Sequence, residues 1–440
     1  MIARSVVAGT ALATAIGLAL SASGSNASAD AETDRQVLAQ SESRTVVQDG
    51  DPSLAAEVKA FANRYNVSEE RADAALALQA ISIEFGAELR NELPDSFAGI
   101  WFAEPDLFTM NIGIRASDED SSNTVLSIAA RYGIESAVNI VSTQYSLAQL
   151  EGGIESLNEE LTKTSQVLDA PAPGIGIRPS ENRIVIHLDP TLDSQTNDQL
   201  ASVPDGLLDR MSSVRYDGSP DREAAGCIHP FCDPPLRSGI GIGSENGDLC
   251  SGAFLARSQS DGVLYQLTAG HCSGVNVLWR TREKDGTLRN IGEVHSRDRG
   301  TATGDANYGD SAIIRVNSNG FWQARAWVFV TSSPDTTPNT QYPIRAVGRV
   351  TNEGVFVCRS GRSLTSCGET TDLSSCYTGS TGVTYCGMVD TNFAAVGGDS
   401  GGPVYIRNIA LGIVSSTGGR YEPIQRAEAR RNVDVSIDQG

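Results

Sequence analysis

Histidine is scarce in this chain, with four in 440 residues: His187, His229, His271 and His295. Any chemistry that needs an imidazole must use one of these. Lysine occurs three times against 31 arginines, a bias for which the sequence offers no physical reason. Aromatic residues make up only 6%, and neither a collagen period nor a solenoid repeat is present. Basic residues are outnumbered, 34 against 54 acids, and the net charge of −20 argues against nucleic acid or an anionic membrane as the main partner. Cysteine is absent from the first 226 residues; all eight lie between Cys227 and Cys386. Beyond the first 29 residues no stretch is long and apolar enough to span a bilayer.

What is present is distributed unevenly. Apolar residues make up 40% and charged residues 20%, a composition that supports a packed core. At about 150 residues per domain the length allows two to three domains. Residues 30–220 carry 32 acids and 13 bases, whereas residues 221–440 carry 22 and 20. One half is acidic and free of thiols; the other is near neutral and cross-linkable. Two segments of such different chemistry are expected to form separate cores, with a boundary near 210–235.

The start of the chain has one basic residue, Arg4, then an apolar run from Val6 to Leu20 and an Ala27-Ser28-Ala29 site. This pattern predicts a secretory signal over residues 1–29, cut after Ala29. The alternative, a membrane anchor, needs about 20 strongly apolar residues, and this run is diluted with Gly, Thr and Ser. Secretion agrees with an even cysteine count, because disulfides persist outside the cytosol.

In the acidic segment, Leu54, Val58, Phe61 and Tyr65 recur at helical spacing. Ser68 before Glu69-Glu70 reads as the N-cap of a second helix that carries Ala72, Leu76 and Ile83 on one face. Phe108, Met110, Ile112 and Ile114 alternate as in a half-buried strand, as do Ile184, Ile186 and Leu188. Helical patterning returns over 125–132 and 147–161, and Ala170-Pro-Ala-Pro-Gly174 breaks it. Phe61-Ala-Asn-Arg-Tyr-Asn-Val67 is echoed by Ile128-Ala-Ala-Arg-Tyr-Gly-Ile134, too briefly to count as a repeat. The reading is an α+β module with no cluster of reactive side chains, and hence a folding or inhibitory partner for the C-terminal half.

The second half carries the chemistry. His271 ends Leu267-Thr-Ala-Gly-His-Cys272 after the apolar run Val263-Leu-Tyr-Gln-Leu267. Gly397-Gly-Asp-Ser-Gly-Gly-Pro-Val404 sets Ser400 among glycines, where the backbone can approach a bound group and point N–H donors at it. A serine hydroxyl is a poor nucleophile until a base takes its proton, and the base needs a carboxylate to set its tautomer. In Asn307-Tyr-Gly-Asp-Ser-Ala-Ile-Ile-Arg-Val316, Asp310 stands at the mouth of an apolar strand and is the favoured carboxylate because a strand end holds a group rigidly; Asp305, in a Gly/Thr-rich loop, is the rival. Each residue alone is ordinary in its context. Their joint occurrence in the order His, Asp, Ser is what carries the reading.

Thr268-Ala-Gly-His-Cys272, Asp310-Ser-Ala-Ile-Ile314 and Gly398-Asp-Ser-Gly-Gly402 resemble the chymotrypsin-like serine proteases, and most of all the secreted bacterial branch that includes streptogrisins and α-lytic protease. Cys250-Ser-Gly-Ala-Phe254, Val357-Cys-Arg-Ser-Gly-Arg362 and Cys367-Gly368 extend the match, and Phe97-Ala-Gly-Ile-Trp101 is similar to the pro-region of that branch. The resemblance implies an all-β, trypsin-like catalytic domain of two antiparallel six-stranded β-barrels over 226–440, preceded by an α+β pro-region over 30–225. His271 would be general base and then acid, Asp310 its orienting carboxylate, and Ser400 the nucleophile. The N–H groups of Gly398 and Ser400 would form the oxyanion hole, and Ser415 would hydrogen-bond Asp310.

The resemblance also implies disulfides Cys250–Cys272 and Cys358–Cys367; Cys227–Cys232 and Cys376–Cys386 are paired by proximity alone, which cannot settle connectivity. A zinc site is disfavoured by spacing and by the secreted context, and no metal or cofactor is expected. No Ile-Val-Gly-Gly run exists to supply an activating amine, so Arg359 is expected to pair with Asp399, as an internal arginine does in the bacterial branch. The family's cysteine shortly before the serine is missing from Phe393-Ala-Ala-Val-Gly-Gly-Asp-Ser400. The residue six before Ser400 is Ala394 rather than aspartate, and with Ala395, Ser415, Ser416 and Thr417 it suggests a pocket for a small or medium apolar P1 side chain. Expected partners are protein or peptide substrates and the chain's own pro-region, with the enzyme a monomer. A catalytically silent binding protein on the same fold would usually lack a member of the His271, Asp310, Ser400 set. An α/β-hydrolase would show the order Ser, Asp, His, the reverse of the order here.

Overall fold

The computed structural model describes residues 54–103, 106–116, 120–204, 206–215, 235–272, 274–282, 287–300, 309–317, 322–331, 339–350, 352–379 and 381–438. The signal reading at 1–29, the expected 225/226 boundary, Cys227, Cys232 and Asp305 lie outside the described residues.

The N-terminal half opens with helices Ala55–Tyr65 and Glu69–Glu92. Ser68 caps the second by accepting the Arg71 N–H, and Glu69 and Glu70 lie in its first turn, where the helix dipole favours acids. Strand Phe97–Ala103 pairs antiparallel with Asp106–Arg115, which in turn pairs in parallel with Val138–Thr143. Helix Leu147–Leu168 begins with a full capping box, Ser146 with Gln149, and buries Leu150, Ile154, Leu157 and Leu161. Strands Gly174–Arg178 and Arg183–His187 form a hairpin that Ser212–Arg215 joins in parallel.

Among the described residues of the C-terminal half the regular elements are strands, apart from helix Ile424–Arg431 and the 3-10 turn Gly270–Cys272. One sheet runs in the order Val433–Val435, Leu255–Ser258, Leu264–Thr268, Ala312–Val316, Leu288–Arg297, Leu278–Arg282, Ile240–Ser244, Leu249–Gly252. Trp279, Ile240, Ile242, Ile291, Val294 and Ile314 fill a core against it. A second sheet contains Ser366–Glu369, Phe356–Arg359, Pro403–Ile406, Ile409–Ser416, Arg420–Pro423 and the hairpin Leu373–Thr378/Thr384–Asp390. Helix Ile424–Arg431 comes next in the chain and leads into the strand that closes the first sheet.

The expectation of two separate cores is not met. The second sheet continues through Leu373–Thr378 into Gly174–Arg178 of the N-terminal half, with Leu373 opposite Ile177 and Cys376 opposite Ile175. Phe97–Ala103 likewise pairs with Asn352–Glu353. One cluster of buried apolar side chains runs from Leu54, Phe61 and Ile83 to Phe356, Ile409 and Leu411. The facing surfaces share backbone hydrogen bonds and apolar side chains, and charged pairs such as Arg178–Asp372 and Arg407–Asp73 also cross between the halves.

Candidate active site

Strand Leu264–Thr268 ends at a short 3-10 turn, Gly270–Cys272, that presents His271. A Cβ on Gly270 would lie 1.5 Å from the Asp298 carbonyl oxygen, so only glycine fits before this histidine. Asp310 stands two residues before strand Ala312–Val316, the neighbour of Leu264–Thr268 in the sheet, and the pairing of these strands brings it beside His271. Its buried carboxylate accepts the His271 backbone N–H through Oδ1 at 2.8 Å and meets the His271 Nδ1 through Oδ2 at 2.7 Å. The Ser415 hydroxyl also donates to Oδ2. The Asp310 N–H donates to Glu422 Oε2 at 2.6 Å. Burial pushes the Glu422 carboxyl above its ordinary value, with Arg426 acting against the shift.

Ser400 lies in the turn that leads into strand Pro403–Ile406. Its carbonyl accepts the Ser251 N–H at 2.8 Å, and the Ser251 hydroxyl donates to the Gly398 carbonyl at 2.7 Å. Gly401 has φ +83°, and a Cβ there would lie 2.2 Å from Thr268 Oγ1 and 2.8 Å from the Ala269 nitrogen. The serine turn is therefore seated directly on the residues that lead to His271. The disulfide Cys250–Cys272 brackets this junction, with Cys272 Sγ 3.9 Å from the Ser400 carbonyl oxygen. The structure thus brings His271 and Asp310 into contact and sets the Ser400 turn against them.

Asp399 is fully buried and meets Arg359 Nη1 at 3.0 Å, also accepting from Ser363 Oγ at 2.7 Å. Gly398 has φ +94°, and the Arg362 side chain packs where a Cβ would be. Among the described residues, neither the Gly398 N–H nor the Ser400 N–H donates a hydrogen bond. Ala394 is exposed, and its carbonyl accepts from Arg359 Nε at 2.8 Å and Nη2 at 2.6 Å. Ala395 and Thr417 are half-buried, while Ser416 is buried with no hydrogen-bond partner for its hydroxyl among the described residues. The buried Ser415 side chain has its hydroxyl on Asp310 and Tyr377. Disulfides Cys358–Cys367 and Cys376–Cys386 are formed.

Sequence reasoning missed Ser251, Tyr377, Tyr385 and Glu422. Tyr377 donates or accepts at Ser415 Oγ at 2.7 Å, and the Tyr385 ring lies edge-on to His271 with centroids 6.5 Å apart. Both tyrosines adjoin cysteines of one disulfide, the single sequence feature that sets them apart. Glu422 carries no such signal.

The trypsin family matches residues 237–428. Streptogrisin-A of Streptomyces griseus is 30% identical over 202 residues, covering 44% of this chain and 59% of that protein. Serine protease 1 of Streptomyces fradiae is 25% identical over 295 residues, covering 65% of this chain and 73% of that protein. Protease A of Thermobifida fusca, a solved structure, aligns at 22% identity and TM-score 0.37 over 46% of this chain and 100% of its own. Residues 237–428 match as a trypsin-like serine protease domain, and with these protease relatives the match supports a serine endopeptidase.

Proposed function

We propose that the chain is a secreted pre-pro-enzyme, with a signal at residues 1–29, a pro-region over 30–225 and a protease domain over 226–440, and that it cleaves peptide bonds through an acyl-enzyme on Ser400. The observation that carries this is the double hold of Asp310 on His271, at 2.8 and 2.7 Å, beside a serine turn packed onto the same strand end. An ionised carboxylate only accepts hydrogen bonds, so Asp310 places the imidazole proton on Nδ1 and leaves Nε2 as the base. His271 Nε2 takes the Ser400 proton as the hydroxyl attacks the peptide carbonyl, and returns it to the leaving amine. Water then repeats the exchange to release the acid.

The negative oxygen of the tetrahedral intermediate would lie against the N–H groups of Gly398 and Ser400. Their lack of internal acceptors suits them to this, and losing one such donor typically costs ~10²–10³ in rate. The Arg359–Asp399 pair holds the turn without a newly formed N-terminus. The alanine wall at 394–395 carries no buried acid for a basic side chain, and the Arg359 guanidinium behind Ala394 disfavours one further. A small or medium apolar P1 residue fits this wall best. Strands Phe97–Ala103 and Gly174–Arg178 pair with strands of the protease domain, as those of a segment that guides folding or covers the enzyme would.

Wild type and Ser400→Ala, expressed in parallel, test the reading. Wild type should react with a fluorophosphonate probe and cleave apolar-P1 peptides; Ser400→Ala should do neither. A probe-reactive Ser400→Ala protein overturns it.

A further inference from the structure

The hydrogen-bond chain around Asp310 does not stop at Ser415. Tyr377 is buried in strand Leu373–Thr378, and its hydroxyl lies 2.7 Å from Ser415 Oγ. Ser415 has one hydroxyl proton and donates it to the Asp310 carboxylate, which can only accept. The shared proton between Tyr377 and Ser415 must therefore come from the tyrosine. Burial, and after it the Asp310 charge, pushes the phenol well above its ordinary value, so the hydroxyl stays protonated and able to donate.

Two side chains pack against the Tyr377 ring. Tyr385 stacks on it at 5.1 Å, and the Arg420 guanidinium lies 4.7 Å from its centroid. Tyr385 in turn reaches His271 edge-on. Within the protease domain the strand is held to its hairpin partner Thr384–Asp390 by the ladder and by the Cys376–Cys386 disulfide. Tyr377 thus joins a rigid hairpin to the carboxylate that orients the histidine.

We propose that Tyr377 is a positioning residue for the triad: its hydroxyl donates to Ser415 Oγ, directs the serine proton onto Asp310 and so holds the His271–Asp310 contact in its working geometry. This rests on the assignment of His271, Asp310 and Ser400 as the triad. A donor that polarises the next hydroxyl strengthens the following hydrogen bond, so the effect is transmitted to Asp310 without direct contact.

Tyr377→Phe keeps the ring, its stacking and the cation contact and deletes only the hydroxyl. The full chain should be expressed and the enzyme it yields counted by active-site titration, so that a lower folded yield does not register as lower kcat. The expected result is kcat lower by about 3–10-fold, the range of one net hydrogen bond, with KM unchanged. The acid limb of the pH–rate profile should move upward, because Asp310 loses part of its stabilisation and His271 becomes more basic. Groups that face this network and remain unchanged are Glu422, Tyr385 and Arg420. Ser415→Ala and the double variant complete a cycle in which the tyrosine effect should vanish once Ser415 is gone. Wild-type kcat and pH profile in Tyr377→Phe, or full additivity of the two substitutions, overturns the inference while a dead Ser400→Ala keeps the triad. An active Ser400→Ala removes both.

Discussion

The carboxylate of Asp399, one residue before Ser400, is fully buried, and a charge in that position needs near-complete compensation. It receives the Val396 and Ser363 N–H groups at 2.8 Å each, the Ser363 hydroxyl at 2.7 Å and Arg359 Nη1 at 3.0 Å. Arg359 is itself buried and reaches past Asp399 to the Ala394 and Leu364 carbonyls. One guanidinium therefore ties the serine turn to the proposed pocket wall. Removing one partner of such a pair leaves the other charge uncompensated, which costs about 3–5 kcal/mol. Arg359→Leu should lower the melting temperature by about 10 °C at a fixed scan rate and abolish most activity against apolar-P1 peptides. An unchanged melting temperature would mean that the turn is held by its backbone hydrogen bonds alone.

At the scale of elements, the short echo between residues 61–67 and 128–134 has a physical cause. Each copy ends a helix, at Tyr65 and at Tyr132. Each then turns left-handed, Asn66 at φ 52° and Gly133 at φ 66°. The next residue's N–H bonds back five positions, Val67 to Ala62 and Ile134 to Ala129, both at 3.1 Å. The shared motif is a helix C-cap closed by an apolar residue, not a duplicated unit. A Cβ on Gly133 would meet nothing within 4 Å, so Gly133→Ala isolates the backbone cost, about 1–2 kcal/mol. Urea unfolding of the full chain should show that loss, while Asn66→Gly should be neutral or slightly stabilising.

The same scale shows what could be read in advance. The helix N-capped by Ser68 and the alternating strand around Ile112 were legible because their signals are local. Gln79 and Ser82, polar and buried in the helix Glu69–Glu92, were not. Gln79 Oε1 accepts the Phe356 N–H at 2.9 Å, and the Ser82 hydroxyl meets Asn352 Nδ2 at 2.7 Å, both in the other half of the chain. The site divides in the same way. His271 and Ser400 stand in glycine-rich runs whose glycines are required by contacts at 1.5 and 2.2 Å, whereas Glu422 is tied to Asp310 across 112 residues with no local trace.

For the whole molecule, the junction of the two halves contains carboxyl groups as well as apolar surface. Glu57, buried, accepts the Arg407 N–H at 3.0 and 2.9 Å and the Tyr342 hydroxyl at 2.9 Å, all from the protease half. Burial raises its carboxyl from 4.5 to about 7, against the pull of those hydrogen bonds and of Arg407. Glu353, which accepts from Ser180, is raised by burial to about 7 as well. A carboxyl raised on docking takes up a proton between its free and docked values, so these two contribute stability that is complete below about pH 4.5 and lost as pH rises through about 7. Asp372 works in the opposite direction: burial opposes it, but His187 and Arg178 hold it below its ordinary 3.8, and its contribution is lost in stronger acid. Docking of the N-terminal half should therefore be firmest in mild acid and loosen toward neutrality, a direction that would free the enzyme as pH rises. Thermal unfolding of the full chain in the Ser400→Ala background, from pH 4.5 to 8, should show stability declining from the acid end to about pH 7 and levelling off above it. Glu57→Gln, which keeps an acceptor but cannot ionise, should flatten the decline; a slope identical to that of the parent would place the pH dependence elsewhere.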